Sequence, residues 1–254
     1  FDDTASGTTT VNLTGARTPT SITFSNQTKG YTLYGSAIAG NGYLLKQGAG
    51  MVTLSNANTF TGGTRIEGGV LRAGSATALG NSANTLIVVT NTGTFDMNSI
   101  DETPGSYNVY ISGSGQDGQG ALVNNGSAGF AYGPNYIYLD GDAAVGGTNR
   151  WDIRGSSAFR IALNGFTLTK TGPGGVYVVD GAVSNGTINI VQGQFGFHTA
   201  AADFTNGQVN VQAGGELNYY STPDLRTPIS IFGGRMSSIS GGSAANTCTG
   251  RASR

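Results

Sequence analysis

Residues 44–71 read LLKQGAGMVTLSNANTFTGGTRIEGGVL, and residues 168–195 read LTKTGPGGVYVVDGAVSNGTINIVQGQF. At one constant offset of 124 residues, Leu44, Lys46, Gly48, Gly50, Val52, Leu54, Gly62, Ile66 and Gly69 meet Leu168, Lys170, Gly172, Gly174, Val176, Val178, Gly186, Ile190 and Gly193, and Leu71 meets Phe195. Glycines that recur in register with alternating apolar residues mark an internal repeat, and repeats of this kind decide the fold before any local propensity does.

A shorter period lies inside the long one. The phrase apolar-x-apolar, Gly, x, apolar recurs as Ile188/Ile190/Gly193/Phe195, Val209/Val211/Gly214/Leu217 and Ile229/Ile231/Gly234/Met236, with starts 21 and 20 residues apart. Ile66/Gly69/Leu71 is followed by Ile87/Val89/Gly93/Phe95 at a similar step. Short strands at a 20–22 residue spacing are what one coil of a parallel β-solenoid requires, each strand pairing with its counterpart one coil away while alternate apolar side chains stack inside. Five Asn-Gly pairs, beginning at Asn41, Asn125, Asn164, Asn185 and Asn206, are expected at corners of positive φ. In a β-sandwich the same pairs would mark hairpins. Phrases that repeat with one another favour the solenoid, so the expected fold is an all-β, right-handed parallel β-helix with about 20–22 residues per coil.

Composition agrees. Of 254 residues 43 are Gly, 27 are charged and 6 are Pro. Helix formers are too few for a bundle, no Gly-x-y period indicates collagen, and no apolar run of about 18 residues could span a bilayer. A hydrophobic content of 37% with 11 Tyr and 11 Phe is enough to bury a core. The net charge of -1 gives no footprint for nucleic acid or an anionic membrane. Cys248 alone forms no internal disulfide and no cysteine zinc site, and HExxH is missing as well. No cofactor or metal is expected. The chain begins without Met or a leader and reads as a mature or excised piece.

Four segments follow. Residues 1–97 form solenoid containing the well-matched repeat at 42–74; 98–147 are looser Gly-rich coils or loops; 148–240 form solenoid with a degenerate copy at 165–198; 241–254 are a polar tail without periodicity.

Candidate sites are sparse, and no catalytic residue is assigned. The alternation that turns Phe195 and Phe197 inward turns His198, the single histidine, outward, with no nucleophile motif beside it. A glycosidase needs two carboxylates about 5–9.5 Å apart. The nearest candidates are Asp140/Asp142 with Asp152, and Asp101/Glu102; Asp140-Gly-Asp142 reads first as an ordinary turn, with a calcium or catalytic site as the alternative. If Asn149–Arg154 is a strand, Trp151 and Ile153 face one side and Arg150, Asp152 and Arg154 the other. That leaves two readings: a core Trp with an Arg/Asp ladder outside, or a glycan contact made by Arg150, Trp151 and Arg154. Gly113-x-Gly115-x-x-Gly118 satisfies a dinucleotide fingerprint but is followed by no helix.

Residues 40–74, GNGYLLKQGAGMVTLSNANTFTGGTRIEGGVLRAG, resemble the autotransporter-associated β-strand repeat, also called the passenger-associated transport repeat. The motif places are held by Gly42, Leu44, Lys46, Gly48, Gly50, Val52, Leu54, Asn58, Phe60, Gly62 with Gly63, Thr64, Gly69 and Leu71. In the second copy GAVSN around Ala182 replaces Asn-x-aromatic, and Ile188 stands at the Thr64 position. FDDT at the start, GALVNNGS (120–127) and GTNRWDIRG (147–155) are similar to connecting segments of large secreted repeat proteins of planctomycetes and verrucomicrobia. The resemblance implies an extracellular or cell-surface β-helical stalk and no reaction. The expected role is an adhesin stalk or self-assembling fibre subunit, with copies of itself as end-to-end partners, for instance through Thr8–Leu13. The alternative is a carbohydrate-binding or carbohydrate-active β-helix, with surface polysaccharide as partner.

Overall fold

The structure, a computed structural model, describes residues 1–80, 86–101, 107–127, 129–154, 159–179, 181–198, 203–220 and 224–238. The 241–254 tail, Cys248 and Glu102 lie outside them. Among the described residues every strand-to-strand ladder is parallel, and the chain winds as an all-β parallel solenoid of about nine turns. At about 4.8 Å per turn the stack is roughly 43 Å long.

Three sides carry the coil. The first side stacks Ile22, Leu44, Thr64, Ile87, Val109, Ile137, Ile161, Val183, Phe204 and Leu225 in register. The second side stacks Tyr31, Val52, Leu71, Phe95, Leu122, Val145, Lys170, Ile190, Val211 and Ile231. The third side has regular strands only from Phe130–Tyr132 onward, through Arg150–Arg154, Val176–Val179, Gly193–Phe197, Gly215–Tyr219 and Arg235–Ser238. In earlier coils irregular backbone closes this side, with Ala39 N–H bonding Arg17 O, Thr59 N–H bonding Ile38 O and Thr61 N–H bonding Gly40 O.

Alternation explains the core. In Tyr43–Lys46 and Thr187–Ile190 the side chains alternate between inside and outside, and the inward ones, such as Leu44, Ile188 and Ile190, are fully buried. Phe24, Phe60, Phe95, Trp151, Phe195, Phe197 and Phe204 supply the largest buried apolar side chains of one continuous core. Because each coil buries its apolar residues only against its neighbours, the fold is a chain of nearest-neighbour interfaces.

The short phrases pair as their period requires: Ile188 with Val209 and Val209 with Ile229, Phe195 with Leu217 and Leu217 with Met236, and Ile66 with Val89, Gly69 with Gly93, Leu71 with Phe95. One glycine differs. Gly193 pairs with Gly215, the first residue of its strand, while Gly214, at φ 95°, lies in the corner just before it. Of the five Asn-Gly asparagines, Asn164, Asn185 and Asn206 have positive φ, while Asn41 and Asn125 do not.

The long offset conceals a rotation. Leu44 and Lys46 lie on the first side, whereas Leu168 and Lys170 lie on the second. The two copies of the motif therefore use different corners of the coil, first-to-second and then second-to-third. Between them the coils widen: Phe95 meets Leu122, 27 residues on, and Val109 meets Ile137, 28 residues on. The region 98–147 nevertheless contains the regular strands Asn108–Gly113, Leu122–Asn124, Phe130–Tyr132 and Tyr136–Gly147.

Candidate functional site

Each copy of the motif ends a strand in lysine and turns a glycine corner immediately after it. Lys46 is fully buried, and its Nζ donates to Gln47 O at 2.8 Å, Gly48 O at 2.7 Å and, one coil further, Gly68 O at 3.1 Å. Lys170 repeats the arrangement with Thr171 O at 2.6 Å, Gly172 O at 2.8 Å and Gln192 O at 3.0 Å. An ammonium has three N–H donors and no acceptor, so three carbonyls saturate it. No carboxylate is among the described partners of either Nζ. Burial pulls Lys46 down to about 8 and Lys170 to about 7, against an ordinary value near 10.5. The carbonyls act the other way, since a neutral amine would turn its lone pair toward one of them.

The corners that the lysines clamp are closed by backbone in contact. Gly48, Gly69, Gly172 and Gly193 all have φ between 64° and 73°. A Cβ on Gly69 would lie 2.4 Å from Gly48 O and 2.6 Å from Gly50 O. Gly50, Gly62, Gly174 and Gly186 do not have positive φ.

Asn58 does a third job. It is fully buried, its Oδ1 accepts from Ile38 N–H at 2.9 Å and its Nδ2 donates to Ala78 O at 2.7 Å. Those partners are 20 residues away in either direction, so a side-chain amide bridges three coils where no strand runs. Phe60 beside it is buried, and Thr64 is buried at the start of the next strand. The sequence flagged all these positions; their roles as clamp, corner and bridge depend on contacts one coil away, which no spacing displays.

The Arg150–Arg154 strand resolves in favour of the core tryptophan. Trp151 is fully buried and its Nε1–H donates to Gly146 O at 2.9 Å, so it offers no ring face to a sugar. Arg150 and Arg154 both bond Asp152, at 2.7 Å for the shortest contact of each. The second reading, a glycan contact made by Arg150, Trp151 and Arg154, is corrected accordingly: packing of the third side buries Trp151, and the carboxylate between the two guanidinium groups engages both. Trp151 emission is expected to be blue-shifted and resistant to acrylamide quenching; a solvent-exposed spectrum would contradict the burial.

Down the same outer face the groups interlock. The Arg150 guanidinium lies 4.5 Å from the Tyr177 ring centroid, and Tyr177 lies 4.1 Å from His198. His198 points outward but is half-buried, with Nε2 2.8 Å from Asn218 Oδ1; burial pushes its pKa below the ordinary value. Asn218 donates to Ser237, which with Arg235 bonds Glu216. Of the carboxylates considered for catalysis, Asp152 is held by two arginines, Asp142 accepts from Thr167 N–H at 2.8 Å, and Asp101 accepts from Tyr132 N–H at 3.1 Å. Among the described residues no group of three His, Cys, Asp or Glu could hold a metal ion.

The fold and its lysine-clamped corners define a parallel β-solenoid built on a short corner repeat. Residues 44–73 match the passenger-associated-transport-repeat family, so the chain carries a copy of that repeat. An 80-residue stretch, 32% of this chain, is 38% identical to the adhesin BmaC autotransporter of Brucella suis biovar 1 (strain 1330), of which it covers 2%. No solved structure matches the chain.

Proposed function

We propose that this chain is part of the β-solenoid passenger of a bacterial adhesin, secreted or displayed at the cell surface, where it serves without catalysis as a stalk or fibre element. The observation that carries the reading is the buried Lys46 corner inside the stretch that matches the passenger repeat. A rod of stacked coils resists bending because each coil is bonded to both neighbours along its sides, and the lysine and Asn58 bridges extend that bonding to the corners. The polar groups support it as well: Asp96 is held by Arg72 and Asp152 by two arginines, which leaves these buried carboxylates bonded rather than poised for proton transfer. Copies of the chain would meet end to end through strand edges, a heterologous contact that propagates into filaments.

Electron microscopy of the purified protein, together with adhesion assays of cells displaying it, tests the reading. Rods or filaments and gained adhesion are expected. Single rods at every concentration would remove the fibre version and leave the stalk. Release of products from a polysaccharide panel would overturn the non-catalytic role.

A further inference from the structure

The outer face of the first side differs from the interlocked third side. Register places Tyr43, Gly63 and Leu86 on three successive coils, because Leu44 pairs with Thr64 and Thr64 with Ile87. Tyr43 is 49% exposed and Leu86 54%. Gly63, between them, has no side chain, and at φ 92° with Leu86 O only 2.8 Å from where a Cβ would sit, it is held as glycine. The missing side chain opens a slot of about 230 Å³, walled by Tyr43, Leu86, Val88 and Arg65 and floored by Gly62–Thr64.

Dimensions set what can enter. Two coil steps separate Tyr43 from Leu86 by roughly 9.6 Å, and a ring lying between them needs about 4 Å to each wall. Further along the same side, outward rings do fill successive coils: Tyr110 pairs with Tyr138, and their rings stack at 4.9 Å and 17°. The slot is therefore one ring thick. Its polar edge is specific. Arg65 Nε donates to Glu67 Oε1 at 2.5 Å and Gln47 Nε2 to Glu67 Oε2 at 2.8 Å, and these bonds, that of Arg65 first, hold the Glu67 carboxyl below its ordinary range. Of these groups Arg65 lines the slot, and its charge is met by Glu67 beyond it, so a planar hydrogen-bond donor without net charge borders the aromatic wall. An aromatic side chain would use the walls but leave that edge unmatched, and an anion or cation would meet no net opposite charge.

We propose that the slot between Tyr43 and Leu86 binds one pyranose ring of a neutral polysaccharide, its apolar face against Tyr43 and its hydroxyl edge toward the Arg65–Glu67 pair. The aromatic wall supplies contact area at little entropic cost, and the Arg65 guanidinium, fixed by Glu67, supplies orientation. A single ring in one shallow slot gives weak affinity, so useful attachment comes from many copies along one glycan. The proposal does not require the adhesin reading, and its failure would leave that reading standing.

The test is an amide NMR titration of the whole chain with cellotetraose, maltotetraose and chitotetraose, and with N-acetyl-tyrosinamide as the aromatic probe. At least one sugar is expected to shift the amides of Tyr43, Leu44, Gly62–Arg65, Leu86 and Val88 saturably. Tyr43→Ser is expected to weaken that binding at least tenfold while the rest of the spectrum is unchanged. Leu86→Trp, which fills the slot from an exposed position, is expected to abolish it and guards against a folding defect in the first variant. Shifts with N-acetyl-tyrosinamide but with none of the sugars would overturn the ligand class. No shift with any probe, or undiminished sugar binding in both variants, would overturn the site.

Discussion

Lys170→Ala is expected to destabilise the solenoid by about 3 kcal/mol or more, and Lys170→Met by less. The alanine leaves a cavity and takes the donor from three carbonyls, Thr171 O, Gly172 O and Gln192 O. Methionine fills the volume but leaves the carbonyls without it, so the difference between the two variants separates packing from hydrogen bonding. Urea unfolding of the three proteins at one pH measures both terms. Equal stability of wild type and Lys170→Met would show that the clamp contributes nothing beyond its volume.

The same lysine makes stability depend on pH, and the sign follows from burial. The folded pKa, about 7, lies below the unfolded value near 10.5. Below pH 7 both states hold the proton and the linkage is flat. Between pH 7 and about 10 the unfolded chain binds a proton that the folded chain has released, so stability rises with pH, by at most about 1.4 kcal/mol per unit. Lys46, at about 8, begins the same rise one unit later. Subtraction isolates the lysine from every other group, so the quantity to measure is the difference between wild type and Lys170→Met from pH 6 to 10. That difference is expected to grow in favour of wild type; a difference that stays flat over that range would mean that the three carbonyls offset burial and hold the proton.

Gly69→Val is expected to be at least as damaging and to disturb two coils. At φ 64° a β-branched residue is strained by about 1–3 kcal/mol, and its Cβ would overlap Gly48 O and Gly50 O of the coil below. Backbone cannot rotate aside as a side chain can, so the corner must part, and Lys46 loses its hold on Gly68 O. Hydrogen exchange should show lost protection in Met51–Leu54 and Thr64–Ala73 together, with the third-side strands Gly193–Phe197 and Gly215–Tyr219 unaffected. Loss confined to residues 68–70 would show that the coils are not coupled through this corner.

The sequence determined the architecture because a solenoid writes its period into the chain. Ile188, Val209 and Ile229 stack in the register that their spacing requires, since each coil repeats the same pattern against the same neighbour. The identity of the motif residues was equally legible: Lys46, Asn58 and Gly69 stand out by recurrence or by pattern. What they do was not, because a lysine in a strand pattern reads as an outward charge until the carbonyls of Gly68 or Gln192 are brought to it from the next coil.

Tertiary structure alone decided three further matters. It placed the two copies of the motif on different corners, because the widened coils around residues 95–137 put 124 residues out of phase with a whole number of turns. It buried Trp151, where alternation allowed either face to point inward and only the packing of the third side chose. And it opened the slot at Gly63, which exists because Tyr43 and Leu86, 43 residues apart in the chain, lie two coils apart in space. Periodicity fixes which residues share a side; which side chains face core, solvent or a neighbouring coil depends on how many residues each corner takes up, and that is settled only when the coils close on one another.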